Sequence, residues 1–85
     1  MRLDLLLTRL RFAKSRAVAQ RWIGEEHIRC NGERVTRTDC PIAEGDVLTL
    51  PIGQGVMVIA IHSLPERRGP AAEAQSHYTL LNRDS

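Results

Sequence analysis

The sequence has 85 residues, which is enough for one small domain but leaves little room for a large substrate pocket beside its core. Hydrophobic residues make up 42% of the chain and charged residues 26%, as in an ordinary globular domain. No apolar run approaches the ~20 residues of a membrane span, and basic residues interrupt the N-terminal stretch where a signal peptide would lie. We therefore expect a cytoplasmic protein with no membrane partner and with reduced cysteines.

Charge is distributed unevenly along the chain. Residues 1–37 carry nine basic and four acidic side chains, whereas residues 38–85 carry three basic and six acidic ones. Eight of the nine N-terminal bases are arginine, whose planar guanidinium clamps phosphate better than an ammonium group does. The imbalance predicts that the N-terminal half faces a polyanion. The alternative is a solvated, arginine-rich surface without a partner.

Two helices are predicted at the N-terminus. A first helix over residues 3–11 is indicated by leucines at helical spacing, namely Leu3, Leu6, Leu7 and Leu10. Ser15 is a good N-cap for a second helix over residues 16–23, and Gly24 suits its C-terminal end. Trp22, on the second helix, is expected to pack in the core and not to stack on bases.

Strand patterns follow from His27 onward. Asn31-Gly32 is the strongest short signal for a hairpin, with Ile28, Cys30 and Val35 alternating around it. Residues 47–50 and 56–61 are two further strand candidates, the second of them after a Gly53-Gln54-Gly55 turn.

The C-terminal region is predicted to be a linker and a helix. Residues 65–70 form a basic linker in which Arg67 and Arg68 are expected to be solvated. Pro70 suits the start of a final short helix that would place three residues on one face: Ala74, Tyr78 and Leu81. The elements together predict an α+β fold, with a helix pair packed on a small, mainly antiparallel sheet and a short C-terminal helix.

Patterns for catalysis or metal binding are weak. Ser15 has no histidine near it in sequence, and the glycines after residue 52 lack the following helix that a phosphate loop needs. Four residues could be imagined as zinc ligands, namely His27, Cys30, Cys40 and His62. Their spacing matches no compact pair of ligands. We therefore predict no catalytic residues, no metal and no cofactor.

The turn between the two helices carries the strongest functional signal. Four bases fall within eight residues around it, and they are Arg9, Arg11, Lys14 and Arg16. The start of the second helix near Ser15 adds free N–H groups and the positive end of a helix dipole. This combination favours a concave anion site for a bent phosphate backbone. In the alternative interpretation, Arg9 and Arg16 only pair with Asp4, Glu25 or Glu26.

Several motifs resemble the S4 RNA-binding domain in their order and spacing across residues 1–62. They are Arg2-Leu3-Asp4, Arg11-Phe12-Ala13-Lys14-Ser15-Arg16, Ala19, Ile23, Asn31-Gly32-Glu33-Arg34-Val35 and Gly45-Asp46-Val47. The run Arg67-Arg68-Gly69-Pro70-Ala71-Ala72-Glu73-Ala74, followed by Tyr78, extends the resemblance to the small ribosome-associated heat-shock S4 proteins. We therefore expect an S4 domain over residues 1–62 and a linker with a C-terminal helix or tail over residues 63–85. Glu26 stands where the family often has glycine.

The resemblance implies an S4-type fold and non-catalytic binding of structured ribosomal RNA. It implies action on the large ribosomal subunit, in rescue of stalled peptidyl-tRNA complexes. We also expect tRNA as a further partner and a monomer as the form of the protein. It places the RNA surface on Arg2, Arg9, Arg11, Lys14, Ser15, Arg16, Arg21, Asn31 and Arg34, although Asn31 is first of all a turn former. Only three aromatic residues are present, so recognition is expected to follow RNA shape.

Two other functions stay open from the sequence. The chain would serve as an S4 accessory module if it were part of an RNA-modifying enzyme with a catalytic domain. It would be a protein–protein adaptor if the apolar strand over residues 56–61 were an exposed sheet edge.

Overall fold

The computed structural model describes residues 1–52 and 55–82, and these residues form three helices and five strands. The helices are α1 (Leu3–Arg9), α2 (Arg16–Gly24) and α3 (Ala71–Gln75), and the strands are β1 (Arg29–Cys30), β2 (Glu33–Arg34), β3 (Val47–Leu50), β4 (Met57–Ile61) and β5 (Tyr78–Leu80). All pairings are antiparallel, in the order β2-β1-β3-β4-β5. The predicted α+β architecture, a helix pair packed on a small antiparallel sheet with a short C-terminal helix, is confirmed. The predicted turn at Gly53 and Gln54 lies outside the described residues.

One buried cluster joins the helix pair to the sheet. The leucine stripe of α1 is buried, as are Ala19 and Ile23 of α2. On the sheet side, alternate residues of the two longest strands enter the same cluster: Leu48, Leu50, Ile59 and Ile61. Each such side chain contributes about 1.5–3 kcal/mol through removal from water. Trp22 is half-buried and packs against this cluster, so the predicted packing is seen although the ring is not enclosed by the core.

The ends of the first two helices follow their local chemistry. α1 ends two residues earlier than predicted, because Arg11 adopts a left-handed φ of 66° that turns the chain. Ser15 caps α2 as predicted, and its side chain accepts a hydrogen bond of 3.3 Å from the Val18 amide. Gly24 is the last residue of α2, and the left-handed position beyond it belongs to Glu26, with φ 62°.

The Asn31-Gly32 hairpin is confirmed. Both residues have positive φ, 53° and 83°, which defines a two-residue type I′ turn between the paired Cys30 and Glu33. The Asn31 side chain also ties the turn to the start of β3, because it accepts from the Val47 amide at 2.9 Å. Its amide nitrogen donates to Asp46 at 3.1 Å.

The prediction of one helical face for Ala74, Tyr78 and Leu81 is wrong. α3 ends at Gln75, and the chain then reverses into β5, where Tyr78 lies opposite Ile61 of β4. A helix of five residues gains little stability by itself, whereas the backbone of β5 pairs along the otherwise open side of β4. Because β4 lies between β3 and β5, residues 56–61 are not a sheet edge. The basis of the adaptor interpretation is therefore lost.

No helix within residues 1–52 and 55–82 combines the length and the apolar character needed to cross a membrane.

Candidate nucleic-acid interface

The start of α1 is held by a segment that lies far away in sequence. The Leu3 amide donates to the Cys40 carbonyl at 2.9 Å, and the Asp4 amide donates to the Thr38 carbonyl at 3.2 Å. These bonds satisfy amide groups that a helix N-terminus otherwise leaves without partners. Arg2 precedes the helix in an extended conformation, so its side chain projects beside the first turn.

Asp4 is a fully buried acid at the centre of a polar cluster. Arg2 binds both of its oxygens, with Nε to Oδ1 at 2.6 Å and Nη2 to Oδ2 at 3.0 Å. From α2, Arg16 Nη2 and Gln20 Nε2 reach Oδ2 at 3.2 Å and 3.0 Å. We call these four residues the Asp4 cluster. The side chains of Arg2 and Arg16 remain 42% and 48% exposed, so both are bound to a buried acid and still face solvent.

The electrostatics of the cluster keep Asp4 ionised. Burial alone would raise the pKa of the carboxyl group, but hydrogen bonds from Arg2, Gln20 and Arg16 outweigh it and lower the pKa to about 2. The carboxylate is therefore charged at neutral pH. Two cations around one anion leave the cluster with a net positive charge on its solvent side.

Arg16 thus pairs with Asp4 as the alternative interpretation expects, although its side chain stays half exposed. Among the described residues, no ion pair joins Arg9 to Asp4, Glu25 or Glu26. The Arg9 guanidinium instead donates to the Pro65 carbonyl at 3.0 Å. Arg11 donates to the Gly69 carbonyl, also at 3.0 Å. Both arginines join the end of α1 to the 65–70 linker, so part of their hydrogen-bonding capacity serves the fold.

The linker brings a further base to the helix junction. Arg68 Nη1 lies 3.5 Å from the Lys14 carbonyl, in the turn between α1 and α2. Among the described residues, no acidic oxygen lies within 4.0 Å of the charged nitrogens of Arg11, Lys14 or Arg68. We call these three residues the junction triad. Arg68 is exposed, as its place in the linker predicts, but only the fold of the linker brings it to the helix junction. Arg67 differs, because it pairs with Glu73 at 3.3 Å.

The other predicted residues have varied surroundings. Ser15 is engaged as the cap of α2, and Asn31 is engaged with Asp46 and β3. Arg34 pairs with Glu26 at 3.5 Å, with both side chains about half exposed. Arg21 is exposed in the last turn of α2, where no ion pair is found for it within the described part of the chain.

The two cysteines line one open groove of about 470 Å³ beside the hairpin. Both are free thiols, and burial raises the pKa of Cys30 to about 11. Within residues 1–52 and 55–82, no three His, Cys, Asp or Glu side chains are grouped so that they could hold a metal ion.

These features define a small α+β domain in which a helix pair packs on an antiparallel sheet that includes a type I′ hairpin, with arginines gathered at the helix junction. The family model of the S4 domain matches residues 1–48, and the chain belongs to that family. Its structure is similar to a solved trimeric structure of heat shock protein 15 from Vibrio cholerae. The TM-score is 0.88 at 30% sequence identity, over 94% of this chain and 80% of that one. The resemblance to heat-shock S4 proteins is thereby confirmed.

A curated relative shares the N-terminal half. The small ribosomal subunit protein uS4 of Gloeobacter violaceus is 41% identical over 49 residues, which are 58% of this chain. The match covers 24% of that protein, so this chain spans about a quarter of the relative's length.

Proposed function

We propose that this chain binds structured ribosomal RNA, without catalysing a reaction, through the surface around the α1–α2 junction. The observation that carries the proposal is the junction triad beside the Asp4 cluster. It gathers bases from two distant parts of the chain, and no acid among the described residues pairs with the triad. Phosphate groups are the ligands that such a surface attracts, since guanidinium forks match their oxygens.

The relatives support ribosomal RNA as the polyanion. The N-terminal half is similar to a ribosomal protein, and the whole fold is similar to a heat-shock protein. We further propose the large ribosomal subunit as the target, in rescue of stalled peptidyl-tRNA complexes, with tRNA as a second contact. One chain presents all the proposed contacts, so a monomer is the proposed binding unit.

The proposed contact residues fall into two groups. Arg2, Arg16 and the junction triad face solvent around the start of α2 and form the centre of the surface. The outer contacts are Arg9, Ser15, Arg21, Asn31 and Arg34. Residues 1–62 are the proposed RNA-binding domain. Residues 63–85 contribute Arg68 through the linker.

Shape recognition is favoured over base reading. The Phe12 and Tyr78 rings pack on each other with centroids 4.9 Å apart, and Trp22 packs against the core. The three aromatic rings are thus engaged within the protein, whereas readers of splayed single strands stack bases on aromatic side chains. Backbone geometry at bulges and junctions is therefore the proposed feature that is recognised.

A competition assay tests this function. Labelled fragments of folded ribosomal RNA are bound at near-physiological salt and challenged with unlabelled folded RNA, duplex DNA and unstructured RNA of equal length. We expect folded ribosomal RNA to compete best, and we expect affinity to fall steeply with added salt through counterion release. Equal competition by duplex DNA or by unstructured strands would contradict recognition by shape.

A further inference from the structure

We propose that Asp4 is the positioning residue of this RNA-binding surface: its buried carboxylate holds Arg2 and Arg16 in the orientation in which they meet phosphate. The inference rests on the proposed function, because it assigns a role within the same surface. Asp4 is not a contact residue in this proposal, since its side chain has no exposed area.

The hydrogen bonds around Asp4 leave the outer parts of both arginines available. Arg2 uses Nε and Nη2 for the carboxylate, and Arg16 uses Nη2. The Nη1 groups of both residues are outside these bonds. A guanidinium carries five N–H donors in one plane, so fixing one edge also fixes the direction of the others. Both side chains are therefore oriented before any ligand arrives, which lowers the entropy lost on binding.

The stabilisation that Asp4 gains from its partners does not by itself explain why an acid occupies this position. Asp4 lies among fully buried leucines, namely Leu3, Leu6 and Leu7. Removing a charge from water is costly, and a buried ion pair is often replaceable by apolar side chains without loss of stability. The Asp4 carboxylate also accepts a hydrogen bond of 2.8 Å from the Leu5 amide in the first turn of α1, a role that a neutral amide oxygen would also serve. A neutral oxygen would not supply the negative charge that holds the guanidinium groups of Arg2 and Arg16.

The decisive variant is Asp4→Asn, because the two explanations predict opposite signs. If Asp4 only neutralises the arginines, the variant gains one positive charge, binds RNA more tightly and shows a steeper salt dependence. If Asp4 positions them, the variant binds folded ribosomal RNA more weakly despite the added charge. We expect a loss of about tenfold, the equivalent of immobilising two long side chains on binding.

Asp39→Asn is the matched control. Asp39 lies in the segment that holds the start of α1, and it pairs with Arg37 through two bonds of 3.2 Å and 3.1 Å. The side chain is half exposed and makes no bond to the Asp4 cluster. This control makes the same change of charge near the same surface, and we expect its affinity to be unchanged or slightly higher.

If circular dichroism shows that Asp4→Asn does not fold, Gln20→Met provides the test of whether Asp4 positions the two arginines. It removes one hydrogen bond to Asp4, keeps every charge and suits a helix. We expect RNA binding to weaken by about twofold with the salt slope unchanged, since no phosphate-neutralising charge is lost. Unchanged affinity in Gln20→Met, or tighter binding in a folded Asp4→Asn protein, would overturn the inference. Failure of the unmodified chain to bind folded RNA would instead overturn the proposed function.

Discussion

The guanidinium of Arg11 donates a 3.0 Å hydrogen bond to the carbonyl oxygen of Gly69, 58 positions later in the chain. Together with the bond from Arg9 to Pro65, it holds the 65–70 linker against the end of α1. The linker therefore packs against the helix pair, and Arg68 lies beside Lys14 because of this attachment. Arg11 serves both the fold and the proposed interface.

Arg68→Ala should weaken binding to folded ribosomal RNA and reduce the slope of log affinity against log salt by about one unit, as expected for one lost phosphate contact. Arg67→Ala is the matched control, because Arg67 is the adjacent arginine and its charge is already paired with Glu73. Its effect on the slope should be smaller. Filter binding over a series of salt concentrations measures both, and equal slopes for the two variants would remove Arg68 from the interface.

Glu26→Gly should stabilise the protein by about 0.5–1 kcal/mol. Glu26 holds a left-handed φ of 62°, which is unfavourable by about 1–2 kcal/mol for a residue with a side chain. Glycine relieves this strain, and the added freedom of the unfolded chain offsets only part of the gain. The ion pair with Arg34 that is lost is half exposed and contributes little. Urea unfolding followed by circular dichroism measures the change.

Glu25→Gly serves as the control for that substitution. Glu25 precedes Glu26 and has an ordinary φ of −82°, so glycine relieves no strain there. It should destabilise the protein by up to about 1 kcal/mol through added freedom of the unfolded chain. A stability loss in Glu26→Gly as large as that in Glu25→Gly would show that the left-handed residue carries no cost.

Acid should weaken the fold through Asp4. Because its pKa is about 2 in the folded protein and 3.8 ordinarily, ionised Asp4 stabilises the fold above pH 3.8, and this contribution is lost as the pH falls toward 2. This contribution to the free energy of unfolding is about 2 kcal/mol. Urea unfolding measures the free energy of unfolding of the unmodified chain and of Asp4→Asn from about pH 5 to about pH 2. The contribution of Asp4 is the difference between the two curves of free energy against pH. Parallel curves would mean that the carboxylate gains nothing from its partners.

The two thiols should be dispensable for RNA binding. Cys30→Ala and Cys40→Ala each remove a half-buried side chain that packs against the core, so we expect a stability cost of about 1 kcal/mol and unchanged affinity. Thermal unfolding and the RNA competition assay test the two parts. Stoichiometric zinc in the purified protein, lost together with folding on chelation, would reveal a metal role for these residues.

Features set by short-range physics were predictable from the sequence. Leucines at helical spacing indicate α1, Ser15 has the side chain that caps α2, and Asn31-Gly32 suits the positive φ values of a type I′ turn. The interior strands β3 and β4 were likewise visible as apolar runs between turn residues. In each case the residues that determine the conformation lie within a few positions of one another.

The tertiary structure decided the rest, because the partners involved are far apart in the chain. Spacing along the chain predicts a helix at Tyr78, but Tyr78 lies in a strand because the open side of β4 offers backbone partners. Asp4 was one acid among four in the basic half, until folding brought Arg16 and Gln20 of α2 onto its carboxylate. A local sequence pattern shows which side chain is present at a position but not which distant residue it contacts. Those distant contacts determine which arginines face solvent and how they are oriented.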